Sequence, residues 1–180
     1  MGLGETSLTW RFSFLLMFIG LFAMIAAVAS SYMAASDVIP NRERHIGFWD
    51  MCDDTLTYGC KDMTEYLHRL GRNFDWVHAC RALVIIGIII EAISMLISLY
   101  MAYMVSGTHL GNLITAGANC LSVVFILIGG LVFLVNAMEV LETTLEMDSD
   151  PSWSFALLIL AQGFYLIAAG LLIFDACRSN

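Results

Sequence analysis

The stretch ALVIIGIIIEAISMLISLYMAYMV, residues 82–105, decides the fold because it is predominantly apolar and contains a single acidic or basic side chain, Glu91. A helix needs roughly 20 apolar residues to cross the ~30 Å hydrocarbon layer of a bilayer. Three further stretches meet this requirement, at residues 12–35, 113–135 and 153–174. Because lipid offers no hydrogen bonds to the backbone, each stretch is predicted to be a helix, and together they predict a left-handed four-helix membrane bundle.

The composition of the whole chain agrees with this prediction. Of its 180 residues, 59% are hydrophobic and only 13% are charged, and the mean hydropathy is +0.80. These values exceed what a soluble core with a wettable surface requires. The net charge of −8 argues against nucleic acid as a partner, because phosphates are bound by basic surfaces.

The first apolar stretch has two interpretations. Residues 26–30, AAVAS, are similar to a signal-peptide cleavage site, but a signal's apolar region spans about 7–15 residues and this one is longer, which favours a retained helix. Small residues spaced by three and four line one face of this helix, and Ala156, Gly163 and Gly170 recur every seven residues in the last one. Such faces predict close helix packing within the bundle.

The four spans divide the chain into a terminus, four helices, three connections and a tail. The non-spanning segments are 1–11, 36–81, 106–112, 136–152 and 175–180. Charge counting leaves the orientation open. The long loop holds six of the eight basic residues, which by the positive-inside rule predicts a cytoplasmic loop, but it also holds Cys52 and Cys60.

The long loop contains the stretch HIGFWDMCDDTLTYGC, residues 45–60. Two short runs of strand-forming residues flank an acidic turn, and each ends near a cysteine, which predicts a hairpin with a cross-strand disulfide between Cys52 and Cys60. The alternative is two free thiols on a cytoplasmic loop. Apolar residues at helical intervals over 62–74 predict a short amphipathic helix that leads to the second span.

Gly47-Phe48-Trp49 followed by Cys52 and Cys60, in the first loop of a four-span protein, resembles the signature of the claudin superfamily. That superfamily includes the peripheral-myelin and epithelial-membrane proteins and the calcium-channel gamma subunits. Residues 80–83, CRAL, and 152–155, SWSF, are similar to the entries to the second and fourth helices of its members. The resemblance implies cytoplasmic termini, extracellular loops and a small extracellular β-sheet that carries a disulfide.

The resemblance also implies a role for each matched residue. Cys52 and Cys60 would form the disulfide, Trp49 would anchor the sheet against the outer helix ends, Gly47 would permit close backbone approach, and Arg81 would tie the second helix to the loop. The chain departs from the claudins in four ways, the first of which is a slightly shorter spacing between Cys52 and Cys60. Phe48 replaces leucine, no tryptophan lies between the first helix and Trp49, and only six residues follow the last span, so a PDZ scaffold is not expected as a partner.

The predicted spans contain one carboxyl side chain, Glu91, and two amide side chains, Asn119 and Gln162. An ionisable residue inside a membrane is by default a candidate functional residue. One hypothesis makes Glu91 a protonated or hydrogen-bonded fastener of the bundle. The other makes it a contact site for a partner membrane protein.

Acidic residues are concentrated in the two outer loops. The candidates for a cation-favouring surface are Asp50, Asp53, Asp54, Glu139, Glu142 and Glu146. An acidic lining favours cations over anions. The alternative is an ordinary solvated surface.

The sequence argues against an enzyme. Its four histidines have no metal-ligand spacing with the cysteines, and no Ser-His-Asp set or glycine-rich phosphate loop is present. We therefore expect no metal and no cofactor. Cys177 is a candidate for palmitoylation beside the membrane, and Gly2 fits the loose pattern for myristoylation.

These features predict a junction or adhesion protein of the plasma membrane at cell-cell contacts, with a role in membrane organisation or a paracellular barrier. Its partners would be the lipid bilayer and further copies of itself or other four-span proteins. The alternative is an auxiliary subunit of a channel or receptor, as in the gamma branch of the superfamily.

Overall fold

The computed structural model describes residues 7–39, 42–53, 59–104, 109–145 and 149–178. The helices are α1 (Leu8–Ala29), α2 (Met63–Arg69), α3 (Asp75–Met104), α4 (His109–Leu145) and α5 (Trp153–Arg178). The strands are β1 (Ala34–Ile39), β2 (Arg42–Ile46), β3 (Asp50–Asp53), β4 (Cys60–Asp62) and β5 (Asp150–Pro151). Four of the helices, α1, α3, α4 and α5, are long and apolar enough to cross a membrane. The prediction of four long apolar helices with a small sheet, as in a multi-pass membrane protein, is confirmed.

The four long helices pack in a ring. Helix α3 contacts α4 and α1, and α5 contacts α1 and α4, so that α3 and α5 face each other across the bundle. The interior of the ring contains large apolar side chains that are fully buried, including Met17, Met24, Ile126 and Leu158. Side chains that point outward from the same helices are mostly aliphatic or aromatic, as a lipid environment requires.

The five strands form one antiparallel sheet in the order β4-β3-β2-β1-β5. Strand β5 comes from the second long connection and pairs with the start of β1, where Ala34 lies opposite Pro151. The sheet therefore joins both loops on one side of the bundle. The β1–β2 hairpin is not predicted by the sequence, because the alanines at its start continue the apolar stretch of the first span.

Each long helix differs from its predicted span at one or both ends. Helix α1 ends at Ala29, because Ser30 adopts an extended conformation and the Met33 amide donates to the Ile46 carbonyl at 2.8 Å. Helix α3 begins seven residues before residue 82, at Asp75. Helix α4 continues past residue 135 to Leu145, because the buried side chains of Ala137, Val140 and Leu141 extend its inner face.

The small residues of α1 and α5 differ in where they point. A Cβ atom on Gly20 of α1 would lie 2.9 Å from the Tyr165 ring, so Gly20 lets α5 approach closely. A Cβ atom on Gly163 or Gly170 of α5 would meet nothing within 4 Å, and Gly170 is exposed. The prediction that the small residues of the last helix pack within the bundle is therefore wrong. They lie on its outer face.

Candidate functional site

The turn that connects β2 to β3 contains the signature residues Gly47, Phe48 and Trp49. A Cβ atom on Gly47 would lie 2.4 Å from Ser31 Cα and 2.5 Å from the Ser30 carbonyl oxygen. Both atoms belong to the backbone and have no freedom to move aside. Position 47 accordingly requires glycine, because the segment that follows α1 passes directly against it.

Phe48 and Trp49 point in different directions. The Phe48 side chain is fully buried, and its ring centroid lies 4.3 Å from that of Phe133 on α4. Trp49 is 37% exposed. Phe48 is therefore the side chain that enters the bundle, whereas the Trp49 ring packs on the Arg81 guanidinium at the start of α3. The two side chains are adjacent in an extended turn, where successive residues face opposite sides.

Arg81, near the start of α3, makes three interactions with this turn and one with Asp62 at the end of β4. Its Nε donates to the Phe48 carbonyl oxygen at 2.7 Å, and its Nη2 donates to the Trp49 carbonyl oxygen at 3.1 Å. Its Nη2 also lies 3.6 Å from the Asp62 carboxylate, and the guanidinium carbon lies 5.0 Å from the Trp49 ring centroid. We call these four residues the Arg81 clamp. The clamp attaches the sheet to the bundle.

Asp62 serves two elements at once. Its carboxylate caps α2 by accepting hydrogen bonds from the Thr64 amide, the Thr64 hydroxyl and the Glu65 amide. Burial raises the pKa of Asp62, but these hydrogen bonds and the nearby Arg81 charge outweigh it, so that the pKa lies below its ordinary value. The side chain that faces Arg81 is therefore an ionised carboxylate.

The disulfide lies at the edge of the sheet, beside the clamp. Cys52 and Cys60 are bonded to each other and occupy directly opposite positions of β3 and β4, with their Cα atoms 4.0 Å apart. The predicted cross-strand disulfide is confirmed, and the alternative of two free thiols is wrong. The bond links the short edge strand β4, which leads into α2, covalently to β3.

A second group of polar residues lies inside the bundle. Gln162 of α5 donates through Nε2 to Glu91 Oε1 of α3 at 3.2 Å. The Ser94 hydroxyl lies 2.5 Å from Asn119 Oδ1 and 3.0 Å from the Glu91 carbonyl oxygen. Glu91 and Asn119 are fully buried and Gln162 is nearly so. No surface of Glu91 can reach a partner, so the contact-site hypothesis is wrong.

This interior cluster contains polar atoms that have no hydrogen-bond partner among the described residues. They are Glu91 Oε2, Gln162 Oε1, Asn119 Nδ2 and the Tyr165 hydroxyl. Ser94 and Tyr165 belong to the cluster, although they are absent from the predicted set. Their positions three residues after Glu91 and Gln162 could have indicated them, since residues at that spacing share a helix face.

The acidic candidates lie on separate elements. Asp50 is exposed on β3, whereas Glu139 and Glu142 are exposed near the end of α4. The side chain of Asp53 and the whole of Asp54 and Glu146 lie outside the described part of the chain. Among the described residues, no group of three His, Cys, Asp or Glu side chains could hold a metal ion. Cys177 is an exposed free thiol near the end of α5.

No protein-family model matches the chain, and no curated protein is significantly similar to it. The resemblance to the claudin superfamily accordingly depends on the signature residues of the first loop.

The opposite orientations of Phe48 and Trp49 predict unequal effects of truncation. Phe48→Ala is expected to lower the free energy of unfolding by about 3–5 kcal/mol, the usual cost of deleting a buried phenylalanine ring. Trp49→Ala, the matched control, removes a ring over Arg81 and is expected to cost about 1 kcal/mol. Unfolding in detergent micelles, followed by circular dichroism, measures both. A larger loss for Trp49→Ala would contradict the assignment of Phe48 as the anchor.

Proposed function

We propose that the chain is a claudin-like protein of the plasma membrane that organises contacts between cells. In this proposal the sheet is extracellular, both termini are cytoplasmic and the bundle is left-handed. The observation that carries the proposal is a disulfide-stapled sheet held on four apolar helices by the Arg81 clamp. The signature residues Gly47, Phe48 and Trp49 lie at the junction of these two parts.

The disulfide supports an extracellular sheet, because such bonds persist in oxidising compartments. At least three of the six basic residues of the first loop make contacts within the protein. Arg69 pairs with Glu65, Arg72 donates to Thr143 at 3.0 Å, and Arg81 serves the clamp. These three cations therefore have structural roles in the loop, which account for their presence on an extracellular sheet in this proposal.

Side-by-side association is supported by the outer face of α5. Large exposed residues recur every seven positions, at Trp153, Leu160, Ile167 and Phe174. The small residues Ala156, Gly163 and Gly170 recur with the same period three positions later. Alternating large and small residues form a ridge beside a groove, which suits close packing of parallel membrane helices. We therefore propose that this face contacts a second copy or another four-span protein.

The adhesive function predicts where the protein accumulates. In cells that express the full chain, we expect it to be enriched where two expressing cells touch. Cys52→Ser should reduce this enrichment, because the bond that staples the sheet is lost. Cys120→Ser is the matched control, since it removes an exposed thiol outside the sheet. Fluorescence imaging with surface labelling measures both. An even distribution of the wild type, with co-purification of a channel or receptor, would instead support the auxiliary-subunit alternative.

The outer face of α5 predicts a separate effect on association within one membrane. Gly163→Leu combined with Gly170→Leu should fill the groove and reduce cross-linking between copies, without unfolding the bundle, because neither position has neighbours within 4 Å. Gly117→Leu is the matched control on α4, where the space is equally open. Chemical cross-linking in liposomes measures the change. Equal loss in the control, or no loss in the α5 variant, would contradict the assignment.

A further inference from the structure

A single hydrogen bond joins Glu91 of α3 to Gln162 of α5. The Gln162 amide donates to Glu91 Oε1 at 3.2 Å. The remaining oxygen of each group, Glu91 Oε2 and Gln162 Oε1, is buried and has no partner among the described residues. These two atoms belong to groups that already face each other.

The unpartnered atoms have matching chemistry only if a proton is added. When Glu91 is a carboxylate, Oε2 and the amide oxygen are both acceptors, and two acceptors cannot bond. A proton on Oε2 turns it into a donor toward Gln162 Oε1. Carboxylic acid and amide then exchange two hydrogen bonds, and both buried oxygens are satisfied.

The surroundings of Glu91 disfavour a charge. Glu91 is the single Asp, Glu, Lys, Arg or His within the four predicted spans. The groups around the Glu91–Gln162 pair are neutral. The Ser94 hydroxyl contacts the Glu91 carbonyl oxygen and Asn119 of α4, and Met24 of α1 contacts the Gln162 amide. Tyr165 of α5 is the one titratable neighbour in the described interior. A carboxylate without a cation at this depth would cost several kcal/mol.

The geometry points to a proton-binding site in the centre of the bundle, in which Glu91 is a neutral carboxylic acid paired reciprocally with Gln162. One proton from solvent binds Oε2 as the helices assemble, and no other bond changes. The pair crosses the bundle between α3 and α5, which face each other on opposite sides of the ring. The proton thereby strengthens the link between two helices that make fewer contacts with each other than with their neighbours in the ring. This inference is independent of what the sheet contacts.

Infrared spectroscopy of the full chain in lipid nanodiscs at neutral pH tests the protonation state. We expect a carboxylic-acid carbonyl band that shifts in heavy water and is absent from Glu91→Gln. At this pH the exposed carboxyl groups are ionised, so the difference spectrum isolates Glu91. A spectrum in which Glu91→Gln removes carboxylate bands, with no acid carbonyl band lost, would overturn the proposal.

A double-mutant cycle tests the pairing. Glu91→Leu and Gln162→Leu should each lower Tm, because each leaves one buried polar group without its partner. The double variant should recover most of the loss, since neither polar group is then present. Glu91→Gln should keep Tm near the wild-type value, because two amides form the same reciprocal pair without a proton. Additive losses in the double variant would overturn the pairing.

A bound cation is the competing explanation, and it has its own signature. If a carboxylate held sodium, Tm of the wild type would rise in sodium chloride relative to choline chloride, and Glu91→Gln would abolish the difference. That result would overturn the proposal. We expect equal Tm values of the wild type in the two salts, because a proton on Glu91 Oε2 satisfies both buried oxygens and no cation is needed. This comparison needs no variant that could fail to fold.

Discussion

The structure depends on the hydrogen bonds that Arg81 donates to two successive carbonyl groups. The sheet is small, with strands of two to six residues, and a sheet of this size has too little core to be stable alone. Packing of Phe48 into the bundle supplies the apolar contact, and Arg81 fixes its direction. A planar guanidinium suits this task, because Nε and Nη2 form a rigid fork that a lysine cannot reproduce. Asp62 balances the charge at the surface, where water still reaches its carboxylate.

The carboxyl group inside the bundle is neutral, in contrast to the ionised Asp62 that faces Arg81 at the surface. Near the membrane surface a cation and a carboxylate face each other as ions, because partial exposure keeps the cost of their charges low. In the middle of the helices the same carboxyl chemistry is tolerated only in a neutral, hydrogen-bonded form. Arg81 and Glu91 lie on one helix, ten residues apart, and each has the partner that its depth requires: an aspartate and backbone carbonyls for Arg81, and an amide for Glu91.

Hydropathy predicts the four helices well because a long apolar segment in lipid must form all its backbone hydrogen bonds internally, as a helix does. It places their ends poorly, since apolar residues such as Ala34 and Ala35 suit a strand as readily as a helix. Spacing predicts the Cys52–Cys60 bond because both cysteines are close in a short hairpin. A period of seven shows that Gly163 and Gly170 share a face, but only packing decides that this face points outward. The pairing of Glu91 with Gln162 likewise depends on how α3 and α5 are aligned with each other. The residues near each position do not determine this alignment.

Amide hydrogen exchange of an Arg81→Met variant, compared with the wild type in micelles, tests the central claim that Arg81 holds the sheet on the bundle. Hydrogen bonds to a charged group contribute about 1.5–3 kcal/mol, so exchange in β3 and β4 should rise by about tenfold or more while the centres of α3, α4 and α5 stay protected. Arg81→Lys should give an intermediate rise, since the charge remains and the fork is lost. Unchanged exchange in β3 and β4, or an equal rise throughout the helices, would contradict the account.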